Sequence, residues 1–97
     1  MISQARVPDV LLEMAGLLDM YGDKTWGNAL RRLASDVLQD QLEGYRQIRG
    51  LYAGMGSLSD LVLYDSDGKV IRPENDRFDE LRSELHQCVS NVPSAAH

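Results

Sequence analysis

Val10, Leu11, Met14, Leu17, Leu18 and Tyr21 repeat at the three-and-four spacing of one apolar stripe along a helix. Pro8 and Asp9 open that helix, because proline suits a first turn where its missing N–H costs nothing. Gly22 ends it as a C-cap. Asp23 or Thr25 caps a second helix, in which Trp26, Ala29, Leu30, Leu33 and Val37 carry the stripe and Arg31, Arg32 and Asp36 lie off it. So short a connection predicts an antiparallel helix pair. A third helical stretch has Leu42, Tyr45, Ile48 and Tyr52 on its buried side. It either continues the second helix through a kink or follows a break near Asp40; Gly44 weakens it, and Gly50 and Gly54 erode its end.

The pattern then changes. Residues 61–64 form a short apolar run, Asp65-Ser66-Asp67-Gly68 reads as a turn with glycine at positive φ, and Lys69-Val70-Ile71-Arg72 follows. This predicts a β-hairpin that must pack on the helices, since a lone hairpin is marginal in water. Pro73 ends its second strand, and Asn75 or Asp76 caps a last helix with the stripe Phe78, Leu81, Leu85, Cys88, Val89 and Val92, closed by Pro93. The expected fold class is α+β, mostly α: three to four helices with a short β-hairpin before the last helix. Residues 1–97 form a single domain, with 1–7 and 93–97 as frayed termini.

Composition narrows the function. Fifteen acidic residues against ten basic ones give a net charge of −5. The basic footprint that holds nucleic acid or an anionic membrane is missing, and the balance favours a cationic partner. A single cysteine, Cys88, allows no internal disulfide and fits a reducing cytosol. Met1-Ile2-Ser3-Gln4-Ala5-Arg6 carries no apolar signal run behind a basic start, and no stretch is long enough to span a bilayer, so a cytoplasmic location is expected.

Candidate chemistry is thin. His86 and Cys88, two places apart on a helix, point to nearly opposite sides, and Cys88 falls on the apolar stripe. His97 is the last residue, so no nucleophile, base and orienting group assemble. Asp65, Asp67, Gly68, Val70 and Glu74 match the third, fifth, sixth, eighth and twelfth places of a calcium loop, but Leu63 stands where the first ligand belongs. A Gly-x-Gly-Ser turn at 54–57 could point N–H groups at an anion, yet no P-loop lysine follows and Asp60 repels one. The expectation is no enzyme, no metal and no cofactor.

Charge is also uneven. Residues 1–53 carry seven acidic and six basic side chains, whereas 54–97 carry eight acidic and four basic. The bland account is a solvated face with carboxylates near a helix N-terminus; the functional one is a docking face for a basic partner. The candidate contacts are Asp60, Asp65, Asp67, Asp76, Asp79 and Glu80. Tyr52 and Met55, at the glycine break, are candidate apolar anchors.

The order of these parts carries a resemblance. A leucine-rich helix runs into Tyr21-Gly22-Asp23-Lys24-Thr25-Trp26 and Leu30-Arg31-Arg32-Leu33, and after a spacer come Leu51-Tyr52-Ala53-Gly54-Met55-Gly56-Ser57-Leu58-Ser59-Asp60-Leu61. Over most of residues 10–64 the chain resembles a family of small bacterial proteins with a helix pair followed by a Gly-Gly-Met-Gly-Ser-x-x-Asp-Leu segment, some members of which sit at polymorphic toxin loci. Ala53 stands where that family often has another glycine. The resemblance implies an immunity protein that binds and occludes a cognate toxin domain, as a monomer or homodimer. The alternative is a small acidic secretion chaperone or adaptor. A small enzyme would instead show a pocket of convergent polar groups around Asp60 or His86.

Overall fold

The computed structural model describes residues 6–52 and 58–90. Through them run four α-helices: α1 (Val7–Tyr21), α2 (Lys24–Gln39), α3 (Gln41–Gly50) and α4 (Arg72–Ser90), with a 3-10 turn at Leu58–Asp60. The expected helix pair forms. Pro8 lies in the first turn of α1, and Gly22 N–H donates to Leu18 O at 2.9 Å where the helix stops. Asp23, not Thr25, is the cap of α2: its carboxylate accepts Thr25 N–H at 2.8 Å. Two residues between the helices turn α2 back along α1.

The chain breaks at Asp40, which is extended (φ −148°, ψ 96°) and accepts Glu43 N–H at 3.2 Å to cap α3. Gly44 has a packing reason. A Cβ there would sit 2.6 Å from Val37 Cγ2 and 2.9 Å from Val37 Cα, so only glycine lets α3 fold so closely onto α2. The buried face of α3 is therefore Gly44, Tyr45 and Ile48. Leu42, expected on that face, is 52% exposed, because two positions before Gly44 points it to the far side of the helix.

One core joins all four helices. Leu11, Met14 and Leu18 of α1 meet Leu30 and Val37 of α2, Tyr45 and Ile48 of α3, and Phe78, Leu81 and Leu85 of α4. Each such side chain stabilises the fold by about 1.5–3 kcal/mol relative to exposure. Polar links fix α4 across the others: Arg77 donates to Glu13 at 2.7 and 2.9 Å, Arg6 to Glu84 at 2.6 Å, and Arg49 to the Val89 carbonyl at 2.8 Å.

The β-hairpin does not form, and the fold is all-α instead of α+β. Among the described residues there is no strand, only an isolated antiparallel bridge between Tyr64 and Val70. The Asp65–Gly68 turn is made as expected, with Gly68 at φ 81° and Asp65 Oδ1 accepting Asp67 N–H and Lys69 N–H at 2.8 and 3.0 Å. The second arm is cut short because α4 already begins at Arg72, with Pro73 in its first turn and not at the end of a strand. Neither Asn75 nor Asp76 caps that helix from outside; both lie within it. Asn75 does something else. Its Oδ1 accepts Leu63 N–H and its Nδ2 donates to Leu63 O, both at 2.9 Å. The amide thus supplements the few backbone bonds between the arms, such as Ile71 N–H to Leu63 O at 3.3 Å, and residues 61–71 form an irregular strap pinned to α4, with Leu63 fully buried.

Candidate functional site

Two hollows among the described residues bear on function. The first is a groove of about 520 Å³ between the α1–α2 turn and the strap, walled by residues 20–23 on one side and by Leu61, Val62, Tyr64 and Asp65 on the other. Tyr64 N–H donates to Tyr21 O at 2.8 Å, which ties the walls together. Alternation along 61–64 buries Leu63 and turns Val62 and Tyr64 outward. Exposure is 73% for Met20, 40% for Val62 and 46% for Tyr64, so large apolar side chains face solvent side by side. Asp23 and Asp65 line the same groove, and among the described residues no lysine or arginine does. Val70, bridged to Tyr64, adds a further exposed apolar side chain on the strap.

The second hollow, about 450 Å³, is lined by Tyr52, Asp79, Arg82, Ser83, His86 and Gln87. Polar groups do gather at His86, but most are engaged by the fold. Tyr52 Oη donates to Arg82 O at 2.8 Å, and its ring meets His86 edge-on with centroids 4.9 Å apart. Burial pushes the Tyr52 hydroxyl well above its ordinary value, which keeps it protonated and unsuited to proton transfer near neutrality. The Arg82 guanidinium donates to Leu58 O and Leu61 O, both at 3.0 Å, pairs with Asp79 and lies 4.9 Å from the Phe78 ring centroid. Cys88 faces inward, and burial raises its thiol. Among the described residues no three metal-ligating side chains come together.

The structure separates the residues expected to form one acidic face. Asp79 and Glu80 belong to arginine pairs, Asp79 with Arg82 and Glu80 with Arg77 at 3.4 Å. Asp65 bends its carboxylate into its own turn. Asp60, Asp67 and Asp76 are exposed. Tyr52 is a part-buried structural tie and not an open anchor. Met55 lies outside the described residues, as does the glycine segment around it.

Residues 19–72 match the family described as Domain of unknown function (DUF6966), which is more than half of the chain. The chain belongs to the DUF6966 family. Comparison with curated proteins and with solved structures found no match. The DUF6966 match takes in both walls of the groove, whereas the α4 residues of the second hollow lie beyond it.

The groove residues Met20, Val62, Tyr64 and Asp23 were not singled out by the sequence pattern as a site. The signals were present. Met20 is a large apolar residue off the stripe of α1, and Val62 and Tyr64 alternate with Leu61 and Leu63 in a run too short to be buried on both faces. Among the described residues of the DUF6966 chain no helix is long and apolar enough to cross a membrane.

Proposed function

We propose that this chain is an immunity-type binding protein: it docks on a cognate toxin domain with a cationic surface and blocks that domain's access to substrate. The observation that carries this reading is the strap, which holds exposed apolar side chains beside carboxylates on a rigid backing. A toxin acting on nucleic acid or nucleotides needs cationic groups around its active site. Acidic groups on a fixed frame speed the encounter with such a surface, and apolar anchors slow release. Because arginines partner the α4 carboxylates, the negative potential that steers association is carried more by the strap residues Asp65 and Asp67 than by Asp79 and Glu80. Occlusion requires only a preorganised surface, which suits a fold whose converging polar groups are bonded to its own backbone.

The test is reconstitution with the product of a neighbouring toxin gene. The expected result is a one-to-one complex with the folded toxin domain, with toxicity relieved on co-expression and association slowing as salt rises. A dimer of this chain gripping an unfolded N-terminal segment would make it a secretion chaperone. Turnover of a small substrate by the purified chain alone would make it an enzyme. Either result overturns the reading.

A further inference from the structure

We infer that the groove between the α1–α2 turn and the strap is the contact point, and that it receives an apolar side chain flanked by lysine or arginine on the partner protein. This rests on the protein-binding reading above and adds where the contact is made and with what chemistry. The groove offers an apolar floor and a one-sign rim: Met20, Val62 and Tyr64 provide exposed surface, and Asp23 and Asp65 provide charge with no lysine or arginine among the described residues that line it. Complementarity therefore calls for an apolar tip with positive neighbours. A second copy of this chain fits poorly, because each copy carries a net charge of −5 and would bring Asp23 and Asp65 against their own equivalents. The groove is also preorganised. The Tyr64–Tyr21 hydrogen bond, the Asn75 clasp on Leu63 and the Arg82 bond to Leu61 O hold both walls before any partner arrives, which lowers the entropy lost on binding. Tyrosine and methionine are side chains that make large, adaptable contacts at such centres.

The experiment pans a phage-displayed random peptide library against the full chain, then maps each enriched peptide by amide and methyl NMR shifts. The expected peptides carry an aromatic or branched aliphatic residue between lysines or arginines and shift Met20, Val62 and Tyr64. Tyr64→Ala should weaken them at least tenfold. Asp23→Asn with Asp65→Asn, which keep the cap and turn acceptors, should weaken them several-fold at low salt and little at high salt. Val62→Ser repeats the apolar test on a second side chain, with circular dichroism confirming each fold. Acidic or uncharged consensus peptides, shifts confined to α4, affinity indifferent to both Tyr64→Ala and Val62→Ser, or self-association through this patch in sedimentation would each overturn the inference. Those results would leave the immunity reading standing, because that reading fails in the toxin reconstitution or on turnover by the chain alone, not on this patch.

Discussion

The two hollows are of similar size and opposite character. The one around Tyr52 and His86 is polar, yet its strongest groups are bonded inward: the tyrosine hydroxyl to a carbonyl, the arginine to two carbonyls and a carboxylate. The one around Met20 and Tyr64 leaves apolar side chains in water. A polar group whose bonds are already made has little left to offer a ligand, whereas exposed apolar surface still carries free energy that burial would release. The two are also linked. Arg82 lines the polar hollow, and it donates to Leu58 O and to Leu61 O, the latter at the start of the strap that walls the apolar groove. The polar hollow is in this sense the rear support of the apolar one.

The largest effect should come from cutting that support. Arg82→Ala removes two charge-assisted bonds to carbonyls and the contact with the Phe78 ring, and should cost about 3 kcal/mol of stability. For a domain of this length that lowers the thermal midpoint by on the order of 10–20 °C. Asn75→Ala follows at about 2 kcal/mol, because it leaves the Leu63 N–H without its acceptor under the strap. The two variants differ in reach. Hydrogen exchange should quicken at 58–64 in the first and around 63 and 71 in the second. Equal protection in both would break the link drawn between the hollows.

Helices were legible in the sequence because their stripes repeat over many turns, and each repeat restates the same face. The stripe of α4, for example, places Phe78, Leu81, Leu85, Cys88 and Val89 inward as read. The strap was misread because its cues are local. An Asp-x-Asp-Gly turn between two short apolar runs says hairpin, and nothing nearby says that a side chain twelve residues from Leu63 will occupy its backbone. Asn75 looked like a cap because asparagine caps helices more often than it clasps a distant peptide. The acidic face was overdrawn for a simpler reason: Asp79 with Arg82 and Glu80 with Arg77 stand three apart on a helix, a spacing that pairs charges. Tyr52, read both as the last buried position of the third helix and as a partner contact, lies past the end of α3 in a part-buried turn, where its hydroxyl donates to Arg82 O.

A smaller effect separates structural from titratable roles in the polar hollow. Tyr52→Phe loses the bond to Arg82 O and should cost about 1 kcal/mol near neutral pH. Burial raises the Tyr52 pKa above the ordinary value of 10.0. The folded chain therefore keeps a proton that the unfolded chain loses. The stabilisation is complete below pH 10 and fades as pH climbs above it. Urea midpoints of the wild type and Tyr52→Phe should converge from pH 10 upward, with Tyr45, also raised by burial, leaving part of the alkaline slope in both. Parallel profiles would mean that the hydroxyl is better solvated than its geometry indicates.

The smallest stability effect belongs to the apolar groove, and there smallness is the point. Met20→Ser, Val62→Ser and Tyr64→Ala act on side chains that are 73%, 40% and 46% exposed, so each should move stability by no more than about 0.5 kcal/mol. The backbone ties, Tyr64 N–H to Tyr21 O and the Asn75 clasp, survive all three substitutions, so the walls keep their places. The triple variant should melt no more than about 10 °C below the wild type while losing its hold on a cationic partner, the reverse of Arg82→Ala, which loses stability first. A triple variant that melts as low as Arg82→Ala would show that these side chains hold the strap down, and the groove would then be part of the frame and not a surface kept open for contact.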